Sequence, residues 1–432
     1  MAWVILGCIC KFLYFFESYQ IIRNSITEIK KEPGVKIIFI EGSSEMGGVQ
    51  YSTYFLAEQL LKEKSAEVRI YLPNEGPFLL LCQKHAIPFT IYNFIPYTST
   101  SISLFNDEYR ILNPFALVYN MFAILLNSVR IKKKLNQQPP NLIITKGLLN
   151  HLSSGLACRG LNLPIIWHLQ DLITNRYFGL MGLIFNYFAK KIPNHIICDG
   201  QVIKESLKKG IQNKSTVVLN GIKTDTLIRD REGGLKVRNE FNIPNDAYVI
   251  GSLARITPWK GQKYLLKAFI QYARKNQNSY LLLVGSPLFD NDKYQRHLIN
   301  MITENELESR VSMPGYRTDL KNIFSAMDLF IYPSVEKDTS PLALLSALSA
   351  GLPVGVSNIP SLSEITNLCP AMDIFNPKSR EEIILLMKKY EDPKLRRKRG
   401  EINRKSGVNY FDISNHSLNM VQTIEKAYRN TI

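Results

Sequence analysis

The sequence predicts an α/β protein whose sheets are parallel and covered by helices. Three observations lead there. Short apolar strands alternate with longer segments that carry apolar residues at helical spacing, the order expected of parallel sheets with covered faces. The first strand, VKIIFIEG from Val35 to Gly42, is a continuous apolar run ending in glycine, as a strand buried on both faces is. The stretch Leu329 to Ser357 reads strand, polar loop, helix, strand, a βαβ unit whose crossover is right-handed. At 432 residues the chain has room for two domains, or three small ones, with full cores.

Taken in order, the chain opens on Ala2 to Phe16, apolar except for Lys11 and rich in aromatic residues. As a helix this segment would span about 22 Å, short of the roughly 20 residues that a bilayer core requires. It lacks a basic leader, which argues against a cleaved signal peptide. An interfacial helix with a snorkelling Lys11 is the first expectation and a true span a lesser one, the plainer alternatives being a helix packed on the first domain or a mis-called start. After the strand from Val35, a Ser/Gly loop leads into a helix with Val49, Tyr54, Leu56 and Leu60 at helical spacing. Gly47 and Gly48 at its start would let backbone approach a phosphate or sugar, although most such pairs are only turns. Strand Val68 to Leu72, a helix around Pro77 to His85 and strand Phe89 to Tyr92 follow.

Asn93 to Asn113 reads as an irregular insertion. Phe115 to Leu135 reads as a long, largely apolar helix whose basic end, Arg130 to Lys134, suits the helix dipole. Such charge beside apolar surface also suits anionic lipid headgroups, a solvated helix end being the plainer alternative. Strand Asn141 to Thr145, helix His151 to Leu161, strand Ile165 to His168, helix Phe178 to Lys191 and strand His195 to Cys198 continue the pattern. His168 and Asp171 fall at the carboxyl end of a strand, the edge where open α/β sheets bind ligands. A lone histidine is nonetheless more often structural.

The charged run Arg229 to Gly234, with its two glycines, marks a boundary. A second domain opens with a strand from Tyr248, a Thr257-Pro258-Trp259 turn and a helix from Gln262 to Arg274. Arg255 and Lys260 bracket this junction, a bidentate fork and a point charge able to close on one anion. Strand Tyr280 to Val284 ends at Gly285, and strand Arg310 to Met313 leads to Gly315-Tyr316-Arg317. In the βαβ unit the loop Pro333 to Ser340 opens onto the helix Pro341 to Ala350, whose free N–H groups make an anion site. Glu336 and Asp338 suit that loop to sugar hydroxyls. Small residues such as Ala343, Ser346 and Ala347 let the helix pack close to its sheet. Leu385 to Lys405 is basic, and a last helix runs from about Ile413 to Tyr428.

Charge narrows the partners. With 53 Lys+Arg against 37 Asp+Glu the chain carries +16, which favours anionic partners. No RNP, zinc-finger or helix-turn-helix spacing accompanies that charge, so nucleic acid is set aside. The 6 cysteines form no CxxC pair, which fits a reduced cytoplasmic protein without structural zinc.

These residues resemble the family 4 retaining glycosyltransferases of GT-B architecture. Pro333-Ser334, Pro341-Leu-Ala-Leu-Leu and Ala347-Leu-Ser-Ala-Gly-Leu-Pro-Val354 match the family's Pro-Ser loop and the helix after it. The family's two glutamates, separated by seven residues, fall on Asp338, which keeps the carboxylate, and Ser346, which does not. Ala254-Arg-Ile-Thr-Pro-Trp-Lys-Gly-Gln262 is a close match, as Gly47-Gly48 is to the family's Gly-Gly loop. His168-Leu-Gln-Asp171 is similar to its His-x-x-Asp element, and Asn220-Gly-Ile-Lys223 to its Asn-Gly-(Val/Ile)-Asp, with lysine replacing the aspartate. The resemblance runs from about Val35 to Glu364 and is strongest from Val249 onward.

It implies two Rossmann-like domains facing across a cleft. Residues 1–33 would be an apolar segment and candidate membrane anchor, 34–228 the acceptor-binding domain, 229–408 the nucleotide-sugar-binding domain, and 409–432 a helix returning to the first domain. The implied activity is a metal-independent hexosyl transfer without cofactor, with His168, Arg255, Lys260 and Asp338 as catalytic residues. Donor contacts fall on Gly47, Gly48, Gly285, Tyr316, Arg317, Thr339, Ser340 and Ser346. Implied partners are a nucleotide-sugar donor, a surface polysaccharide or lipid-linked glycan as acceptor, and an anionic membrane touched peripherally at its cytoplasmic face. The rival expectation is a non-catalytic GT-B partner subunit, because Ser346 stands where the family's glutamate grips the ribose.

Overall fold

The computed structural model describes residues 35–62, 66–104, 109–172, 180–287, 292–336 and 338–429. The apolar segment Ala2 to Phe16 lies outside the described residues. The first part of the chain runs β1 (Val35–Ile40), α1 (Gly48–Lys62), β2 (Ala66–Leu72), α2 (Pro77–Lys84) and β3 (Phe89–Ile91). It continues through β4 (Ser101–Leu104), β5 (Tyr109–Leu112), α3 (Pro114–Gln137), β6 (Leu142–Lys146), α4 (Leu148–Arg159) and β7 (Ile165–Leu169). Then come α5 (Leu180–Lys191), β8 (His195–Cys198), α6 (Gln201–Ser206), α7 (Lys209–Gln212) and β9 (Ser215–Val217). Seven strands form one sheet in the order β3-β2-β1-β6-β7-β8-β9, with β1 parallel to both β2 and β6. Ile37, Ile38, Phe39 and Ile40 are all buried, so consecutive residues of β1 find cover on opposite faces.

One expectation needs correcting here. The stretch Asn93 to Asn113 is not irregular throughout, because β4 and β5 pair antiparallel within it, Ser101 opposite Leu112 and Leu104 opposite Tyr109. Strands of four residues are too short for alternation to stand out in the sequence.

The second sheet begins after α8 (Arg231–Glu240). Its elements are β10 (Tyr248–Leu253), α9 (Gln262–Ala273), β11 (Ser279–Val284), α10 (Lys293–Thr303), β12 (Val311–Ser312) and α11 (Leu320–Ala326). They continue with β13 (Leu329–Tyr332), α12 (Leu342–Ser349), β14 (Val354–Ser357), α13 (Ser363–Leu368), β15 (Asp373–Phe375) and α14 (Arg380–Lys389). The strand order is β12-β11-β10-β13-β14-β15 and the pairing is parallel. The order reverses between β10 and β13, which makes their carboxyl ends a topological switch point. Val249, Leu282, Phe330 and Tyr332 belong to the apolar cluster on one face, while Ile250, Leu281, Leu283 and Ile331 belong to the other. Alternate residues along each strand thus fill two separate cores.

Arg229 to Gly234, the stretch that marks a boundary, also starts a helix. Asp230 caps α8 by accepting from Gly233 N at 2.6 Å, and the helix runs on through both glycines. A Cβ on Gly233 would stand 2.3 Å from Asn322 Oδ1, and one on Gly234 2.6 Å from Ser325 O. The glycines allow close packing of α8 on α11.

The chain ends on α15 (Pro393–Phe411) and α16 (Ile413–Arg429). Between them Ile222 N donates to Phe411 O at 2.9 Å and Ile413 N to Ile222 O at 2.8 Å. His416 Nδ1 lies 2.8 Å from Leu219 O, so the start of α16 is fastened to the segment 219–222. Two compact units divide the described chain, 35–45 with 57–166 and 46–56 with 167–429.

Candidate functional site

The site is built where the β10 and β13 loops abut, and glycine makes that approach feasible. Gly261 has φ +75°, and a Cβ there would stand 1.8 Å from Pro333 O. Gly285, at the end of β11, has φ +138°, and its Cβ would stand 1.9 Å from Ala254 O. Both positions combine a left-handed backbone with a carbonyl in the way, so only glycine fits. Gln262 Nε2 donates to Arg255 O at 2.7 Å, which fixes the turn from which Arg255 projects.

Lys260 and Asp338 come together across these loops. Lys260 Nζ donates to Tyr332 Oη at 2.6 Å and forms an ion pair with Asp338, each side chain only 10% exposed. Tyr332 also donates to Asp338 Oδ2, and Ser334 Oγ donates to it at 2.9 Å. Asp338 N donates to Ser361 Oγ at 2.8 Å. Burial pushes the Lys260 pKa down, against the opposing pull of Asp338. Burial raises the Tyr332 hydroxyl well above its usual value and Asp338 raises it further, so it stays a proton donor. The Lys260 ammonium also lies 4.4 Å from the Trp259 ring centroid. The cation inferred for phosphate and the carboxylate inferred for the sugar therefore hold each other in this structure.

Arg255 is exposed. Partial burial lowers its pKa, while Asp338 and Asp171 raise it, so both carboxylates act on this guanidinium. A Cβ added at Gly47 would come within 3.7 Å of Arg255 Nη2, which makes the Gly-Gly loop its neighbour. At Gly48, the first residue of α1, an added Cβ would meet nothing within 4 Å.

His168, at the end of β7, is fully buried, and its Nε2 lies 2.5 Å from Asp199 Oδ1. Asp199 Oδ2 accepts from Gln170 Nε2 and from Asn220 Nδ2, both at 2.9 Å. Asn220 in turn donates its N–H to Ser340 Oγ at 2.8 Å and its amide to Ser340 O at 3.1 Å. Thr339 Oγ1 donates to Gln170 O at 2.9 Å. His168, Thr339 and Ser340 are thus parts of one buried polar chain that reaches the βαβ loop. Ser340 holds φ +43°, unusual for a residue other than glycine, and these bonds hold it there.

The remaining residues divide. Gly285 N donates to Gly315 O at 2.9 Å, which joins the two strand-end turns. Tyr316 Oη lies 2.7 Å from Tyr51 Oη, at an exposed position. Arg317 grips Asp319 through Nε and Nη2 at 2.8 and 2.9 Å and also grips Glu240, which raises its pKa. Its fork is taken up by these carboxylates. Ser346 is buried within α12. Sequence reasoning gave no role to Tyr332, Ser334 and Ser361 around Asp338, or to Asp199 beside His168. Only Ser334 of these lies in a quoted motif, and Asp199 meets His168 from 31 positions away. Among the described residues no three His, Cys, Asp or Glu side chains are grouped to hold a metal ion.

Comparison with known proteins matches two successive parts of the chain. The family model Glycosyltransferase Family 4 matches residues 46–226, and Glycosyl transferases group 1 matches residues 235–406. The O-antigen biosynthesis glycosyltransferase WclY of Escherichia coli is 30% identical over 178 residues, 41% of this chain and 47% of that protein. The chain thus matches about half the length of this relative. The UDP-Gal:alpha-D-GlcNAc-diphosphoundecaprenol alpha-1,3-galactosyltransferase of Escherichia coli is 25% identical over 307 residues, 67% of this chain and 73% of that one. Among solved structures, Anabaena Alr3699/HepE in complex with UDP-glucose superposes with a TM-score of 0.76 at 20% identity, covering 90% of this chain and 99% of that one. Two parallel Rossmann-like sheets, each with its own matched family model, place this chain in the group 1 glycosyltransferases of family 4, with the GT-B fold.

Proposed function

We propose that the protein is a retaining, metal-independent hexosyltransferase. It moves a sugar from a nucleotide-sugar to a surface polysaccharide or lipid-linked glycan. The observation that carries this reading is the exposed Arg255 beside the Lys260–Asp338 pair at the switch point of the second sheet. A nucleotide-sugar's diphosphate brings about two negative charges, and departure of the nucleotide adds charge to be stabilised. Arg255 offers a fork for that diphosphate and Lys260 a point charge. Asp338, oriented by Tyr332 and Ser334, offers acceptor oxygens to sugar hydroxyls. The departing β-phosphate takes the acceptor's proton, so the scheme requires no protein base.

Residues 229–408 take the donor, with Gly285, Tyr316, Arg317, Thr339, Ser340 and Ser346 around it, and Gly47 and Gly48 approach from the loop before α1. Residues 34–228 take the acceptor, and His168 shapes the floor beneath the transferred sugar. Two of the similar proteins support this reading, a galactosyltransferase named for UDP-Gal and a diphosphoundecaprenol acceptor, and HepE, whose structure holds UDP-glucose. An acceptor of that kind supports a cytoplasmic protein, peripheral at the inner face of the cell membrane, where a net charge of +16 suits anionic lipid.

The test is nucleotide release from a panel of UDP- and GDP-sugars, with calorimetric titration of both diphosphates alongside. Release from at least one donor is expected. Binding of neither diphosphate would replace this reading with a non-catalytic subunit that kept the fold.

A further inference from the structure

Helix α3 reverses the usual polarity of a surface helix. Its inward stripe, Ala116, Asn120, Ala123, Asn127, Ile131 and Leu135, is buried at spacings of three and four. The two asparagines face the protein and pin the chain beside them. Asn120 accepts from Thr98 N and donates to Thr98 O, both at 2.9 Å, and Asn127 does the same with Ile95 at 2.8 and 3.0 Å. The outward face is apolar instead. Phe115, Val118, Met121, Phe122, Leu125 and Val129 are between 53% and 85% exposed. A contiguous apolar face of this kind marks an interaction surface. The helix contains no acidic residue, and Arg130, Lys132 and Lys133 stand exposed where the apolar face ends.

We propose that this face of α3 is the surface on which the protein lies against a membrane bearing anionic lipid, an inference that rests on the membrane placement given above. The apolar side chains enter the acyl boundary, and the cations beside them meet headgroup phosphates. Charge complementarity selects this occupant, since Arg130 also donates to Asn93 O but an apolar partner alone gives no use to Lys132 and Lys133 on a helix without an acid. The helix lies in the plane of the interface rather than across it. An 18-residue window within its 24 residues reaches a mean hydropathy of 1.4, long and apolar enough to span. A span would bring Asn120 and Asn127 into lipid and strip the backbone pairs they hold, whereas the in-plane orientation keeps both.

The experiment sediments full-length protein with phosphatidylcholine vesicles and with vesicles containing phosphatidylglycerol. Two variants are compared, Phe122→Asp with Leu125→Asp, and Lys132→Gln with Lys133→Gln, all at exposed positions. The expected result is binding to the anionic vesicles only, weakened about tenfold or more by the aspartate pair and weakened also by the glutamine pair or by high salt. Calorimetric titration of uridine and guanosine diphosphates should be the same for all forms. Undiminished vesicle binding by the aspartate variant overturns the proposal, as does the absence of binding by the parent protein. Self-association without lipid that the aspartate pair abolishes also overturns it, and makes a second copy the partner. Loss of diphosphate binding in every form counts against the catalytic reading, and the vesicle results still decide this surface.

Discussion

Asp338 sits among three donors, Lys260, Tyr332 and Ser334, in a setting where each charge depends on the other. Arg255, exposed, has no such structural duty. The two cations should therefore separate under mutation. Losing one charge-assisted phosphate contact costs about 1.5–3 kcal/mol, or roughly 10–100-fold in rate. Arg255→Ala is expected to lower nucleotide release by that factor while leaving urea unfolding unchanged. Lys260→Ala should lower release and also destabilise the fold by about 3–5 kcal/mol, because it strands a nearly buried carboxylate. Adding Asp338→Ala should return part of that stability; an additive double variant would show that the pair is not coupled. Ser346 carries the other residue-scale question. Its hydroxyl is short and neutral, so Ser346→Glu should tighten uridine or guanosine diphosphate by about 1–3 kcal/mol if the new charge-assisted bonds form. Tight binding by the parent protein that the glutamate weakens would reject the ribose assignment. Arg255, Lys260 and Asp338 were legible in the sequence because each lies in a motif. Their pairing was not, since Lys260 and Asp338 are 78 positions apart and only the folded switch point brings them together.

At the scale of elements, the strands buried on both faces were the easiest to read. β8 and β13 fall where the apolar runs placed them, β8 between Asn194 and Asp199 and β13 between Asp328 and Pro333. Glycine was read less well, because the same residue does different work in different places. Gly233 and Gly234 stand in the stretch that marks a boundary, and they also sit inside α8 where a partner helix crosses. That partner, α11, begins at Leu320, too distant in sequence to be inferred from local pattern. At Gly261 the local motif and the structural demand coincide. Gly261→Ala should cost at least about 2 kcal/mol in urea unfolding, from backbone strain and the clash with Pro333 O. Gly48→Ala, with open space and a helical position, should be neutral or stabilise by up to about 1 kcal/mol. Equal effects of the two alanines would show that the Gly261 loop can yield.

For the molecule as a whole, acid sensitivity has an identifiable contributor in His195. Burial lowers its pKa to about 4, with Lys426, Lys214 and Lys204 adding to the fall. The unfolded chain protonates this group near its ordinary pKa of about 6.5, so the unfolded state binds the proton first. Its contribution to stability is full above that value and is lost as pH falls through the folded pKa. His195→Gln should therefore flatten the decline in melting temperature between pH 6.5 and 4; parallel profiles for the two proteins would exclude the histidine as a contributor. The fastening of α16 has a different kind of consequence. Thr224 and Asp412 share a hydrogen bond although they are 188 positions apart, and Ile222 bridges to Asp412 beside them. Everything between these residues leaves and rejoins the rest of the chain at one spot. A genetic splice could therefore lift that stretch out and seal the gap with a few residues.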